Sequence, residues 1–113
     1  MANQSCAVAA CPVNDAVTRL DATLSSGRIT HPRSRRIAEE ILELLNDIAW
    51  GRGGPDHIPA IEALSGDLAR DEDEGAVDAG RRVREELARS REVFVSHVET
   101  HNCATGTCVK LAP

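Results

Sequence analysis

Apolar residues recur along this chain at three- and four-residue steps in four successive runs, the period of a one-sided helix rather than of a strand. The first run is Val13, Val17, Leu20 and Leu24. The second and strongest is Ile37, Ile41, Leu44, Leu45 and Ile48, and the third is Ile61, Leu64 and Leu68. A fourth passes through Ala76, Gly80, Val83, Leu87, Ser90, Phe94 and His97, the seam of one long helix. Only Trp50 and Phe94 are aromatic, so packing must come from Leu, Ile, Val and Ala. An all-α fold is the consequence.

The punctuation between the runs divides them into four helices. Pro12 suits a first helical turn, and Ser26-Gly27 ends what it starts. Thr30 or His31 is placed to cap a second helix with Pro32 in its first turn, and Trp50-Gly51 closes it before a turn over 51–55. Asp56 is the expected cap of a third helix, which tolerates Pro59 because first-turn amides have no intrahelical acceptor. The acids of Arg70-Asp-Glu-Asp-Glu74 read as the solvated start of a fourth helix over about 73–100, facing the positive end of its dipole. Short turns favour up-down-up-down packing, which brings the start of the first helix and the end of the fourth to one pole. Residues 1–10 read as a flexible tail and 11–113 as one four-helix metal-binding domain.

A net charge of −5 over 113 residues argues against nucleic acid as a partner, because phosphate neutralisation needs a basic face. Arg33, Arg35 and Arg36 form the one local exception. No long apolar run predicts a membrane span, and the first residues lack the basic-then-apolar order of a signal peptide. The expectation is a cytoplasmic protein, where four cysteines are ligands or thiols rather than disulfides. Small positions at Gly80 and Ser90 leave room for a neighbouring helix, so a homo-oligomer or metal-free helical interaction subunit is one reading. No Gly-rich phosphate loop, nucleophile–base pair or inward carboxylate pair points to a catalytic site.

The densest chemistry lies in His97-Val-Glu-Thr-His-Asn-Cys103-Ala-Thr-Gly-Thr-Cys108, which holds half the cysteines and half the histidines of the chain. Thiolate and neutral imidazole are the ligands zinc prefers, and the spacing of Cys103 and Cys108 lets both sulfurs reach one ion. Three ligand sets are open. Cys6, Cys11, Cys103 and Cys108 would hold zinc or an iron–sulfur cluster, [2Fe–2S] or [4Fe–4S], and make the chain an electron-transfer protein. Cys11, His97, Cys103 and Cys108 would make a Cys3His zinc site. His97, His101, Cys103 and Cys108 would be wholly local. Against all three stands a chain in which His97 is a satisfied core histidine and the thiols are small buried hydrophobes. His57 and His101 read as solvent-facing, and His31 as a cap.

Helix two, the turn Gly51-Arg-Gly-Gly-Pro-Asp, the apolar third helix and the ending Phe94-x2-His97-x5-Cys103-x4-Cys108 resemble the C-terminal helical domain of flavin-bearing NADH-dehydrogenase-type subunits. Such subunits occur in complex I and in NAD-linked and electron-bifurcating hydrogenases. The resemblance covers about residues 11–111 and implies a four-helix bundle. In the family a [4Fe–4S] cluster is held by a C-x2-C-x2-C run opening the second helix and a cysteine before the last. Here those places fall around 29–34 and near Asp73 and contain no cysteine, so the cluster is not expected to carry over. A second family site, the zinc of the hydrogenase branch, matches Cys11, His97, Cys103 and Cys108. The resemblance therefore implies the mixed ligand set, leaves Cys6 as a tail thiol, and suggests a non-catalytic zinc module or small subunit of an NAD(P)H, flavin or iron–sulfur oxidoreductase complex.

Overall fold

The computed structural model describes residues 11–99. These form five α-helices and, among the described residues, no strand: α1 (Pro12–Ser25), α2 (Pro32–Ala49), α3 (His57–Ala69), α4 (Glu74–Arg89) and α5 (Arg91–Glu99). The fold is all-α, as the apolar period requires. The proposed tail over 1–10 lies outside the described residues, as do residues 100–113 of the proposed domain. No helix among the described residues is long and apolar enough to cross a membrane.

The first three helices begin and end where the local chemistry places them. Pro12 and Pro32 each sit in a first turn. Gly51, at φ +76°, terminates α2 in a left-handed conformation that disfavours any residue with a Cβ. Its N–H donates to the Ile48 carbonyl at 3.1 Å while the Arg52 N–H donates to that of Asp47 at 2.7 Å. These are the two bonds of a Schellman motif, which satisfy the last carbonyls of the helix. Asp56 does occupy the cap position of α3, but its side chain makes no capping bond.

The fourth expected helix is instead two. Ser90 leaves helical geometry at φ −117° and ψ 30°, ending α4. Its hydroxyl donates to Glu86 Oε2 at 3.1 Å, and its carbonyl accepts from the N–H groups of Val93 and Phe94 at 2.9 and 3.2 Å. Serine competes for backbone groups in this way, so a seam position without an apolar anchor becomes a joint. The buried face continues across it: Ala76, Gly80, Val83 and Leu87 of α4 and Phe94 and His97 of α5 are all buried.

Every consecutive helix pair is in contact, α3 with α4 most extensively, and α1 also packs against α4 and α5. The chain thus closes on itself. The core contains Val13, Leu20, Ile41, Leu45, Ile48, Ile61, Leu68 and Phe94, each no more than 3 % exposed. Complete burial of such side chains contributes about 1.5–3 kcal/mol apiece. Small residues complete it: Ala16, Ala38, Ala49, Ala79, Ser34 and Ser65 are buried too, positions that a pattern of large apolar residues passes over.

The acidic run is not merely a solvated helix start, because Asp73 is only 6 % exposed. Its Oδ2 accepts from the Thr30 N–H at 2.7 Å, the Thr30 hydroxyl at 3.1 Å and the His31 N–H at 3.0 Å. Its Oδ1 caps α4 by accepting from the Gly75 N–H at 3.0 Å. Next to it, Asp71 Oδ2 accepts from the Ser34 hydroxyl at 2.9 Å. One carboxylate therefore joins the starts of α2 and α4. The His31 N–H, followed by the N–H and hydroxyl of Thr30, outweighs desolvation and holds the Asp73 pKa down to about 2 from 3.8.

A carboxylate stabilised in the folded state contributes fully above its unfolded pKa and loses that contribution as pH falls through the folded one. The window here runs from 3.8 to about 2. Asp73→Asn cannot present acceptors to donors on both sides of the group. It should lower the thermal midpoint by several degrees at pH 5, with the gap to the native chain closing by pH 2. Melting curves at both pH values test this, and a gap of equal size at each would refute it.

Arg35 also has a local structural role. It donates to the Leu24 and Ile29 carbonyls, at 3.3 Å each, tying the end of α1 to the start of α2. Its neighbours Arg33 and Arg36 are exposed.

Candidate metal centre

Cys11 is the N-cap residue of α1 and makes no capping bond with its side chain. Its sulfur lies instead 3.6 Å from Nε2 of His97, on the last turn of α5 and 86 residues away in sequence. Cys11 is 0 % and His97 1 % exposed. The two ends of the described chain thus meet in its interior, as the helix order suggested.

The imidazole is held in one orientation. His97 Nδ1 lies 2.8 Å from the Val93 carbonyl oxygen, one turn earlier in α5. A carbonyl can only accept, so Nδ1 carries the hydrogen and, in the neutral ring, Nε2 turns its lone pair towards Cys11. Burial lowers the His97 pKa below 6.5, against the smaller opposing effect of that carbonyl. The neutral form, which is the ligand form, is therefore favoured. The carbonyl acts on the ring as the outer partner of a metal-bound histidine does, fixing tautomer and direction. Cys11, in turn, stands at the positive end of the α1 dipole, where negative charge is stabilised.

The separation can be compared with what an ion would impose. A tetrahedral zinc with bonds of about 2.3 Å to sulfur and about 2.0–2.1 Å to nitrogen sets those two donors roughly 3.5–3.6 Å apart. The observed 3.6 Å matches this edge. A soft sulfur and an oriented neutral nitrogen at such a spacing fit half of a Cys3His set. The other half, Cys103 and Cys108, lies outside the described residues, as do the alternative ligands Cys6 and His101. Among the described residues no group of three or more His, Cys, Asp or Glu side chains could hold a metal.

The remaining histidines are elsewhere. His57 is not solvent-facing: its Nδ1 accepts from the Gly54 N–H at 3.0 Å and its Nε2 lies 3.2 Å from Asp47 Oδ2, bracing the turn before α3. Sequence spacing alone could have suggested this, since Gly54 precedes His57 by the three residues of a turn. His31 holds the N-cap position of α2 without a side-chain capping bond, and its exposed ring stands 3.9 Å from Asp73.

Comparison with known proteins finds no matching family model, and neither a curated protein nor a solved structure matches the chain.

Proposed function

We propose that this chain is a non-catalytic zinc module in which Cys11, His97, Cys103 and Cys108 close a tetrahedral site. Four protein ligands leave no open position for a substrate or activated water, so the ion's role is structural. It fastens the start of α1 to α5 and the segment that follows. In this reading α4 and α5 together make the fourth arm of an up-down-up-down bundle whose two ends share the ion. The observation that carries the proposal is the buried Cys11–His97 pair, at the sulfur-to-nitrogen edge of a zinc tetrahedron and with the imidazole already oriented.

The place of such a module is in an oxidoreductase assembly containing flavin, NAD(P)H or iron–sulfur subunits. The resemblance of the chain's ending to hydrogenase-type subunits is one support. A second is that the places to which that resemblance assigns the cluster ligands, around 29–34 and near Asp73, are hydrogen-bonded to each other here through Thr30 and His31. Asp73 joins the two segments through these hydrogen bonds, and neither segment contains a cysteine.

Elemental analysis of the anaerobically purified full chain tests the metal. The expected result is a colourless protein with one zinc per chain, and loss of uptake in Cys11→Ser, His97→Ala and Cys103→Ser. Iron with visible charge-transfer absorption would replace zinc with the cluster on Cys6, Cys11, Cys103 and Cys108. A chain that takes up neither metal would leave Cys11 and His97 as a buried pair in a metal-free helical protein.

A further inference from the structure

A second feature lies on the outer face of the α1–α2 pair and uses none of the proposed ligands. Between these helices runs a groove of about 690 Å³, whereas the crevice between α1 and α4 closes to about 30 Å³, room for little more than a water. Val17 of α1, with Leu42 and Trp50 at the end of α2, gives the groove apolar surface, and all three are only half-buried. Trp50 is one of just two aromatic residues in the chain. Phe94 lies in the core; Trp50 is left partly in water beside two aliphatic side chains. An aromatic side chain in such a position is the usual anchor of a docking surface.

The charge around these residues selects the occupant. Asp21 and Glu43 are exposed, Asp47 is 39 % exposed, and the one cation lining the groove, Arg52, is 3.6 Å from Asp47. Acids therefore outnumber bases around an apolar strip. A second copy of this chain would bring its own net charge of −5 to an acidic face, and like charges oppose that contact. From Leu42 to Trp50 the groove follows α2 for about 12 Å, roughly two helical turns. Two helix ridges with a channel between them accept a third helix whose anchors recur every three or four residues.

We propose that the outer α1–α2 groove docks a cationic amphipathic helix of a partner protein. The partner's apolar stripe covers Val17, Leu42 and Trp50, and its lysines or arginines pair with Asp21 and Glu43. The surface does not depend on zinc, so its success or failure is separable from that of the metal proposal.

Trp50 is the only tryptophan in the chain and reports directly on the groove. The probe is a Leu/Lys amphipathic helical peptide of about 14 residues, added to the full-length chain, with a Leu/Glu peptide of the same pattern as control. Saturable blue-shifted Trp50 emission is expected with the cationic peptide alone. Affinity should fall about tenfold or more in the Asp21→Lys, Glu43→Lys double variant, and also at high salt. Leu42→Ala should weaken binding without changing the salt dependence. Equal binding of both peptides, or undiminished binding by the charge-reversed variant, would overturn the proposal. So would a dimer in sedimentation equilibrium that the same variant dissociates, since the occupant would then be a second copy.

Discussion

If zinc occupies the proposed site, its chelation from the full chain should detach α5 and lower the thermal midpoint by about 15 °C or more. Apparent binding energies for structural zinc are about 10–16 kcal/mol in small peptides, as large as the whole net stability of a typical domain, about 5–15 kcal/mol. In a domain of this size each 1 kcal/mol moves the midpoint by roughly 4–8 °C. The loss should fall unevenly. The nine residues of α5 are too few to remain helical alone, and three of them, Val93, Phe94 and His97, are buried against the rest. The interior formed by Ile41, Leu45, Ile48, Ile61 and Leu68 belongs to α2 and α3 and does not include the proposed ligands. Far-UV circular dichroism should therefore show a partial loss of helix at low temperature, followed by a lower and broader melt.

The pH dependence has a definite sign. The His97 pKa is lowered below 6.5 by burial, so any stability tied to its neutral form is complete above about pH 6.5 and declines as the pH drops below that value. Zinc in the proposed site would steepen the decline, because its ligands are the neutral ring and three thiolates, and acidification returns protons to all four. Zinc-loaded protein should thus lose stability on going from pH 7.5 to 5.5 more steeply than chelated protein. Melts that superimpose with and without chelator at both pH values would remove the ion from the folding of this chain.

Much of this arrangement is legible from residue spacing, and the parts that are not have physical causes. Pro12, Pro32 and Gly51 mark α1 and α2 because their backbone preferences act locally. The meeting of Cys11 with His97 is the contact that the expected back-and-forth packing of helices calls for. The joint at Ser90 is hidden because the three-to-four sequence period runs through it and Leu87 and Phe94 on either side are both buried. A period records which face is buried, not whether the axis bends. Asp73 looks like one more acid beside a helix start, and its partners Thr30 and His31 lie more than 40 residues upstream. Only the packing of α2 against α4 brings them within hydrogen-bonding distance. His57 is the opposite case, a short-range contact disguised by a residue type that is often exposed.

Gly80→Ala, a change of one methyl group, should cost about 2 kcal/mol or more. In an isolated helix the substitution would help by up to about 1 kcal/mol. Here α4 crosses α3 so closely that a Cβ on residue 80 would lie 2.7 Å from both the Ala69 nitrogen and the Ser65 carbonyl oxygen, and 2.8 Å from Leu68 Cβ. Two of those atoms are backbone and cannot rotate aside. Relief requires the helices to separate, and a gap of about 0.5–1 Å already forfeits a quarter to a half of each dispersion contact along the seam. Overpacking of this kind typically costs about 1–3 kcal/mol and occasionally more. The neighbour for which the sequence reserved Gly80 is thus a helix of its own chain. Gly66→Ala is the matched control: a Cβ there would meet the Arg84 guanidinium at 2.9 Å, the far end of a flexible side chain that can swing away. That variant should stay near the native stability or slightly above it. Urea titrations of the two variants, with unchanged m-values, measure the difference. Equal midpoints for both would mean that α3 and α4 are not in such close contact at residue 80.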